Sequence, residues 1–152
     1  GAAMGAEITV ITSSQEKARD AKRLGAHNVL LSNNSEEMAK SVNRFDLIIN
    51  TVPVAHDINQ YMPLLKNEKT MVLVGSTPVD LHSSQLIFGR KNIAGSLIGG
   101  INETQEMLDF CAEHNIVSDV EMINIQSVND AYKRIMDADV KYRFVIDLES
   151  LK

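Results

Sequence analysis

Three consecutive hydroxyl side chains precede the first predicted helix of the chain. They are Thr12, Ser13 and Ser14, and Lys17 follows one helical turn later. Short hydroxyl donors, the amino end of a helix and a positive charge together suit a phosphate dianion. The alternative is that Ser13 only caps the helix while Lys17 is a solvated surface charge. The two roles are compatible, because a capping serine can also face a ligand.

Two further segments carry residue types that let a ligand approach the backbone. Thr51 and Val52 follow one apolar run, and Val74 and Gly75 end the next. Gly75 could let a flat ring reach the main chain, or it could be an ordinary turn glycine. Residues 95–100 pose the same question, because their three glycines imply close approach either by a cofactor or by a second subunit.

The positions of these residues depend on a series of predicted strands. Apolar runs rich in β-branched residues occupy residues 8–11, 29–31, 47–49, 71–74, 93–98, 120–123 and 144–146. Continuous hydrophobicity at 47–49 and 71–74 predicts strands that are covered on both faces. Helical patterns separate the runs, so the chain is predicted to be an α/β protein with a doubly wound parallel sheet.

Four helices are predicted between these strands. The first opens with the capping-box form of residues 13–16 and ends at Gly25, a residue that readily adopts the left-handed conformation. Residues 58–65 have apolar side chains at helical spacing, which predicts the second helix. Asn102 and Ser127 are the predicted caps of the third and fourth.

The first of the candidate segments also distinguishes between two cofactors. A doubly wound sheet binds its ligand at the carboxyl ends of the strands. In NAD-binding domains an acidic side chain at such a strand end accepts hydrogen bonds from the ribose hydroxyls, and its charge repels a 2′-phosphate. Here the corresponding residues are Thr12, Ser13 and Ser14, which carry no charge. The sequence therefore favours NADP over NAD.

The composition limits the class of protein further. The 152 residues are 44% hydrophobic, which suffices for the core of one ordinary domain. A net charge of -5 with mixed signs argues against nucleic acid and against an anionic membrane as partners. No apolar run approaches the roughly 18 residues that span a bilayer, so a cytoplasmic location is expected. Cys111 is the only cysteine and the four histidines lack ligand spacing, so no metal site is expected within the chain.

Seven motifs carry a family resemblance, in order, across essentially the whole chain. They are ITVITSS at 8–14, NTVP at 50–53, LVG at 73–75, GRK at 89–91, GSLIGG at 95–100, ETQEM at 103–107 and KYRFVID at 141–147. Single motifs such as LVG are weak, whereas ETQEM and the final YRFVID are quite specific. Together they resemble the second half of cinnamyl-alcohol-dehydrogenase-like, zinc-containing medium-chain alcohol dehydrogenases, whose cofactor domain has the Rossmann fold.

The resemblance implies that nine residues bind NADP(H) and that one lines the substrate pocket. By this carry-over Ser13, Ser14 and Lys17 hold the 2′-phosphate, Thr51 and Val52 lie along the dinucleotide, and Val74, Gly75, Ser96 and Ile98 border the nicotinamide. Leu97 matches a pocket position that often carries phenylalanine in plant members. An aliphatic residue there implies a broader aldehyde range than cinnamyl substrates alone. The resemblance assigns no catalytic residue to this sequence.

Family members also carry parts that the sequence does not contain. The zinc ligands, the proton-relay hydroxyl and the glycine-rich phosphate turn lie upstream of the region that matches Gly1, so zinc is expected only in the full-length parent. In the usual strand order 3-2-1-4-5-6 the missing first strand is central. We therefore expect no ladder between residues 8–11 and residues 47–50. The missing strand is expected to accompany the chain as a separate piece, or strands rearrange or swap between subunits.

The resemblance implies two domains and a leading function. Residues 1–117 are the truncated NADP-binding domain, and residues 118–152 are the segment that returns to the catalytic domain, whose helix is expected to expose an apolar face. The chain is expected to be the cofactor-binding portion of an NADP-dependent zinc alcohol dehydrogenase, which interconverts small aldehydes and alcohols by hydride transfer. It is expected to be inactive alone, because Asp46, Asp57 and His56 form no recognisable catalytic substitute.

Two other functions remain open. The first is a non-catalytic nucleotide-binding or dimerisation module, since family members form homodimers by extending their sheets through the strand that corresponds to Ile93 to Ile98. The second is a methyltransferase-like nucleotide-binding domain. That class shares the fold, but it explains neither Lys17 nor the final Tyr142-Arg143-Phe144 run.

Overall fold

All strand pairs in the computed structural model are parallel over the residues it describes, which are 1–137 and 139–151. The chain comprises two compact units, residues 1–98 and residues 99–152. The first contains β1 (Thr9–Thr12), α1 (Gln15–Arg23), β2 (Asn28–Leu31), α2 (Ser35–Lys40), β3 (Phe45–Asn50), β4 (Leu65–Leu73), α3 (Ser84–Ile87) and β5 (Asn92–Gly95). The second contains α4 (Ile101–Glu113), β6 (Glu121–Asn124), α5 (Val128–Met136) and β7 (Phe144–Asp147). The predicted parallel α/β class is confirmed.

The first unit is built from two separate sheets. β1 pairs with β2, and β3, β4 and β5 form the second sheet in that order. Within the described residues no ladder joins β1 to β3, as expected if a central strand is missing. A cavity of about 300 Å³ is lined by Val10 and Ile11 of β1 and by Leu47 and Ile49 of β3. The edges of β1 and β3 that lack a neighbour therefore carry backbone groups without a strand partner.

Only one face of β3 is covered, which makes the predicted burial of both faces wrong for this strand. Ile48 packs against the core, whereas Leu47 and Ile49 are 53% and 59% exposed. Successive side chains of a strand point to opposite faces, so the two exposed residues share the face that borders the cavity. The apolar run is typical of a strand buried on both sides, but no described element covers this second side.

The core of the first unit lies where the chain turns into β4. Met62, Leu65 and Met71 are fully buried, and partly buried side chains that include Ile48 and Ile93 pack against them. The helix predicted at 58–65 is wrong, because the structure has two 3-10 turns there, Ile58–Gln60 and Met62–Leu64, and β4 begins at Leu65. The apolar stripe reflects burial. Leu65 already pairs with Phe45 of β3, so the sheet ladder replaces a continued helix.

The amine of Lys91 contacts one of these turns. Its Nζ donates a hydrogen bond of 2.7 Å to the carbonyl oxygen of Met62, and burial lowers the pKa of Lys91. The same carbonyl also accepts the backbone N–H of Leu65, so the ammonium is a second donor that holds the turn in place. Lys91 therefore supports the core and is not a free surface charge.

Helix and strand ends differ from the predicted ones by a few residues. Gly25 has φ of 97°, which confirms it as the left-handed stop after α1. β5 ends at Gly95, so the strand predicted over 93–98 is too long; β4, its ladder partner, ends at Leu73. The predicted cap Asn102 is wrong, because the N-cap of α4 is Gly100, whose N–H donates to the Glu103 carboxylate at 2.6 Å.

Arg134 organises the second unit around its two-stranded sheet. The guanidinium contacts the carboxylates of Glu121 and Asp139, each at 2.8 Å, and its Cζ lies 4.8 Å from the centre of the Phe144 ring. Glu121 also accepts a hydrogen bond of 2.8 Å from the backbone N–H of Lys141. This N–H, together with Arg134, holds the pKa of Glu121 below its usual range.

The stability of the second unit should therefore fall in acid through Glu121. Because the folded-state pKa is lowered, the ionised carboxylate stabilises this unit above about pH 4.3, and the contribution disappears as the pH falls through the folded-state value. We expect Glu121→Gln to be less stable than the unmodified chain at pH 7 and to lose less stability between pH 5 and pH 3. Thermal unfolding followed by circular dichroism checks this. Glu106→Gln on α4 is the control, and an equal acid loss in both variants would contradict the assignment.

Two features of the second unit bear on the expected return segment. On α5 the side chains of Tyr132, Ile135 and Met136 are exposed, as expected for a helix with an uncovered apolar face. The division of the chain at residue 117 stays a prediction about the longer protein. Within the part of the chain that the structure describes, no helix is long and apolar enough to cross a membrane.

Candidate functional site

The turn between β1 and α1 holds the hydroxyl cluster in a defined arrangement. Ser14 is the N-cap of α1, and its Oγ accepts a hydrogen bond of 3.3 Å from the backbone N–H of Lys17. The N–H of Ser14 in turn donates to Thr12 Oγ1 at 3.2 Å. The predicted cap Ser13 is wrong by one residue, because Ser14 is the last residue with extended backbone before the helix.

This arrangement leaves Ser13 and Lys17 on the surface. Both residues are exposed, while Ser14 is half-buried. Asn33, which follows β2, donates from its side-chain amide to the carbonyl oxygen of Ser13 at 3.1 Å. The turn is thus fixed by its neighbours, and the Ser14 hydroxyl can still donate its own hydrogen. The only acidic side chain in the first turn of α1 is Glu16.

A second group of predicted residues meets at the carboxyl ends of β3, β4 and β5. Asn50 pairs with Leu73, and Leu73 pairs with Gly95, so the three strands end side by side. The N–H of Val74 donates to the Asn50 carbonyl at 3.0 Å, and the N–H of Ser96 donates to the Leu73 carbonyl at 3.0 Å. The structure therefore brings together the segments that contain Thr51, Val52, Val74, Gly75 and Ser96.

Gly75 is required by the chain's own backbone. A Cβ at this position would lie 2.3 Å from the carbonyl oxygen of Val52 and 3.3 Å from the Cα of Pro53. Real Cβ atoms do not approach other atoms so closely, so the loop after β3 packs directly on Gly75. The close approach of the Val52 backbone is thus a third reason for this glycine, beside a ring contact and an ordinary turn.

Hydrogen bonds of two polar side chains, Asn50 and His56, hold the loop that follows β3. The Asn50 side-chain amide lies 2.9 Å from His56 Nε2, and the Asn50 side-chain oxygen accepts from the N–H of Val52 at 3.1 Å. His56 Nδ1 lies 2.7 Å from the carbonyl oxygen of Val54. No positioned partner of His56 is predicted from the sequence, whereas the structure gives it two. The available signal was an asparagine at a strand end with a histidine six residues later.

The two aspartates that flank these strands and turns, Asp46 at the amino end of β3 and Asp57 after the loop, have structural partners. Two contacts from Asn59, first from its side-chain amide and then from its backbone N–H, hold the pKa of Asp57 below its usual range. Asp46 contacts Lys66 at 2.9 Å, and this hydrogen bond is the main cause of its lowered pKa. Neither carboxylate is placed as a catalytic base by these contacts.

Leu97 and Ile98 extend from the end of β5 into solvent. Their side chains are 88% and 89% exposed. Ser96 is tied to β4 by its backbone, and β5 ends at Gly95, so Leu97 and Ile98 are not part of that strand. The two residues therefore lie next to the strand ends without being packed into the first unit.

The residues present do not fit a zinc ion. Among the described residues no group of three or more histidine, cysteine, aspartate or glutamate side chains could hold a metal. Cys111 is half-buried on α4, where its Sγ lies 3.7 Å from the sulfur of Met107. No chemical step is assigned to a metal bound by these residues.

Comparison with known proteins gives a consistent result. The chain is 52% identical to the aldehyde reductase YahK of Escherichia coli over 153 aligned residues, covering 98% of this chain and 44% of that protein. A cinnamyl alcohol dehydrogenase of Sorghum bicolor superposes with a TM-score of 0.92 at 39% identity, covering 99% of this chain and 44% of that one. A cinnamyl alcohol dehydrogenase of Helicobacter pylori complexed with NADP(H) gives a TM-score of 0.82 at 33% identity, with coverages of 97% and 43%.

These comparisons confirm the resemblance and the Rossmann-like fold. The chain spans less than half the length of the relatives it matches, and it corresponds to their C-terminal part. The family model described as zinc-binding dehydrogenase matches residues 2–113, which is most of the chain. The chain therefore belongs to the zinc-binding dehydrogenase family.

Proposed function

We propose that this chain is the cofactor-binding portion of an NADP-dependent alcohol dehydrogenase that interconverts aldehydes and alcohols. The observation that carries the proposal is the turn after β1, where Ser14 caps the amino end of α1, the exposed Lys17 lies in the first helical turn and residues 12–14 include no carboxylate. A 2′-phosphate is the group that distinguishes NADP from NAD, and such a turn favours it. The NADP(H) complex of the similar H. pylori protein supports the same cofactor.

The proposal gives each predicted residue a role along the dinucleotide. Ser13, Ser14 and Lys17 bind the 2′-phosphate, Thr51 and Val52 follow the dinucleotide, Val74, Gly75, Ser96 and Ile98 border the nicotinamide, and Leu97 lines the aldehyde pocket. The bound cofactor supplies the hydride for the reaction. The chain's own contribution is to orient it across the carboxyl ends of β1 and β3 to β5. The exposed, aliphatic Leu97 fits a pocket for several small aldehydes.

We further propose that the chain has no activity alone. Two observations support this. The described residues include no metal-binding group, and β1 and β3 border a cavity where a strand of the longer relatives would provide backbone pairing. Hydride transfer to a carbonyl needs charge stabilisation at the developing alkoxide, and no described group is placed to provide it.

A dimerisation role is the second candidate, and one observation favours it. β5 is an edge strand with Ser96, Leu97 and Ile98 exposed beside it. An exposed apolar edge pairs readily with a second copy. Homodimer formation through this edge and a cytoplasmic location are compatible with the cofactor role, and sedimentation of the chain with and without Leu97→Asp tests the dimer.

Replacing Lys17 tests the proposed phosphate site directly. We expect Lys17→Ala to weaken NADPH binding by about 1–2 kcal/mol, because one charge-assisted contact to the phosphate is lost. NADH has no 2′-phosphate, so its affinity should stay within about twofold, a change of less than about 0.5 kcal/mol. Isothermal titration of both nucleotides into the unmodified chain and the variant measures the difference.

Lys40→Ala is the matched control for this experiment. Lys40 is an exposed lysine on α2 that pairs with Glu36, so its removal changes net charge equally without touching the turn after β1. Equal losses of NADPH affinity in both variants would show a general charge effect. Tighter binding of NADH than of NADPH by the unmodified chain would refute the phosphate site.

A further inference from the structure

The loop between β3 and the 3-10 turn at Ile58–Gln60 is held by an unbroken series of hydrogen bonds. Asn50 is the last residue of β3, and its side chain contacts both the N–H of Val52 and His56 Nε2. His56 Nδ1 reaches back to the carbonyl oxygen of Val54. The loop thus begins and ends on two side chains that contact each other.

The donors in this series can be assigned from chemistry alone. A carbonyl oxygen only accepts, so His56 Nδ1 must carry the hydrogen that it donates to Val54. In a neutral imidazole Nε2 then accepts, which requires the Asn50 amide to present its NH2 group. The Asn50 side-chain oxygen is thereby directed to the N–H of Val52, where it is found at 3.1 Å. Every group has one consistent role, and the Asn50 amide orientation and the histidine tautomer determine each other.

The loop is also fixed from two other directions. The Val52 carbonyl packs on Gly75 at the end of β4, where no side chain could fit. On the other side, the His56 ring meets Tyr61 edge-on with ring centres 6.3 Å apart, and Asp57 caps the turn that contains the buried Ile58. Thr51 and Val52 are nevertheless exposed. Hydrogen bonding and backbone packing, not burial, therefore determine their conformation.

We propose that Asn50 and His56 are a positioning pair that holds the backbone of Thr51 and Val52 ready for the dinucleotide. The inference rests on the proposed function, which puts Thr51 and Val52 along the cofactor. Neither Asn50 nor His56 needs to touch the ligand. Their effect is to order an exposed loop before the ligand binds. This preorganisation raises the affinity for the dinucleotide without adding a contact to it.

The first test measures the pair itself in the unmodified chain. Nitrogen-15 NMR should show His56 as the neutral tautomer with its hydrogen on Nδ1, and the Val52 amide should be protected from hydrogen exchange. In His56→Ala the protection of Val52 should fall about tenfold, because Asn50 is no longer held. His82→Ala is the matched control, since His82 borders the same surface cavity as His56, but its contact is made by its backbone N–H, which donates to the side-chain oxygen of Asn59. A hydrogen on Nε2, or unchanged Val52 protection, would overturn the proposal.

The second test separates positioning from simple loss of fold. NADPH and adenosine 2′,5′-bisphosphate are titrated into the unmodified chain and into His56→Ala. The smaller ligand carries the phosphate end only, so its affinity should not change, whereas NADPH should bind about three- to tenfold more weakly. Equal losses for both ligands would indicate general damage and overturn the positioning role. If the unmodified chain binds neither ligand, the proposed cofactor site fails, while the tautomer and exchange measurements still decide whether the pair holds the loop.

Discussion

Gly75→Ala is expected to lower the free energy of unfolding of the chain by about 2 kcal/mol, in the range typical of an overpacked site. The added methyl would lie 2.3 Å from the Val52 carbonyl oxygen. Backbone on both sides is fixed, because Val74 and Gly75 donate to the Asn50 carbonyl while Val52 is tied to the Asn50 side chain. The contact can be relieved only by moving the loop or the end of β4, and either movement breaks hydrogen bonds.

The neighbouring strand offers a matched control for this substitution. Gly95 ends β5 as Gly75 follows β4, but a Cβ at Gly95 meets no atom within 4 Å. Gly95→Ala should therefore change the free energy of unfolding by less than about 0.5 kcal/mol. Urea unfolding of the three proteins measures the difference. If both variants lose the same stability, the close approach of Val52 is not what requires glycine at 75.

The same substitution should also weaken cofactor binding if the proposed site is right. A displaced Val52 carries Thr51 with it, so NADPH affinity should fall in Gly75→Ala and stay unchanged in Gly95→Ala. A stability loss without an affinity loss would separate the packing role of Gly75 from the proposed site.

Strand positions could be predicted because a buried strand requires a run of apolar residues, which is visible in the sequence. The apolar runs overlap β1 to β7, although β4 begins at Leu65, well before the run predicted at 71–74, and the carboxyl ends meet as parallel pairing requires. The helix predicted at 58–65 failed for the same reason that the strands succeeded. Hydrophobic spacing indicates which side chains are buried, not the secondary structure that buries them. Met62 is buried from a 3-10 turn and Leu65 from the first residue of β4.

The contact of the proposed positioning pair left only a weak signal in the sequence, an asparagine at a strand end and a histidine six residues later, and nothing in these residue types requires it. Asn50 ends a strand and His56 lies in a loop, and their contact depends on how the intervening residues fold back. The packing of Val52 on Gly75 depends on the registry of two strands in the same way. Local sequence rules describe helix caps and strands, whereas such contacts follow only from tertiary geometry. Even the cap of α1 was displaced by one residue, from Ser13 to Ser14.

The exposed apolar face of β3 is the basis for the largest predicted change in activity, which is that of a hybrid protein. Leu47 and Ile49 border the cavity next to β1, and both strands lack a ladder partner on that side within the described residues. The resemblance implies that longer family members place a strand there. If the proposed function is right, supplying the remainder of a relative should provide that strand and the metal-binding residues together.

We expect a hybrid protein to be active where this chain alone is not. The hybrid joins the part of the E. coli aldehyde reductase that lies outside the match to residues 1–152 of this chain, at the boundary of the alignment. NADPH-dependent reduction of benzaldehyde should exceed that of the chain alone by at least about 100-fold, since loss of transition-state charge stabilisation alone costs that much. Oxidation of NADPH followed by absorbance at 340 nm, with zinc present in every sample, measures both proteins.

Two variants of the hybrid show whether this chain supplies the cofactor site. Lys17→Ala should raise the KM for NADPH about tenfold and leave kcat unchanged, because the 2′-phosphate is distant from the transferred hydride and its contact binds ground and transition states equally. Lys40→Ala should change neither quantity. Turnover of benzaldehyde by the unmodified chain alone would contradict the proposed inactivity. A hybrid that unfolds cooperatively yet shows no NADPH oxidation would contradict the proposed cofactor role, because every part the resemblance requires would then be present.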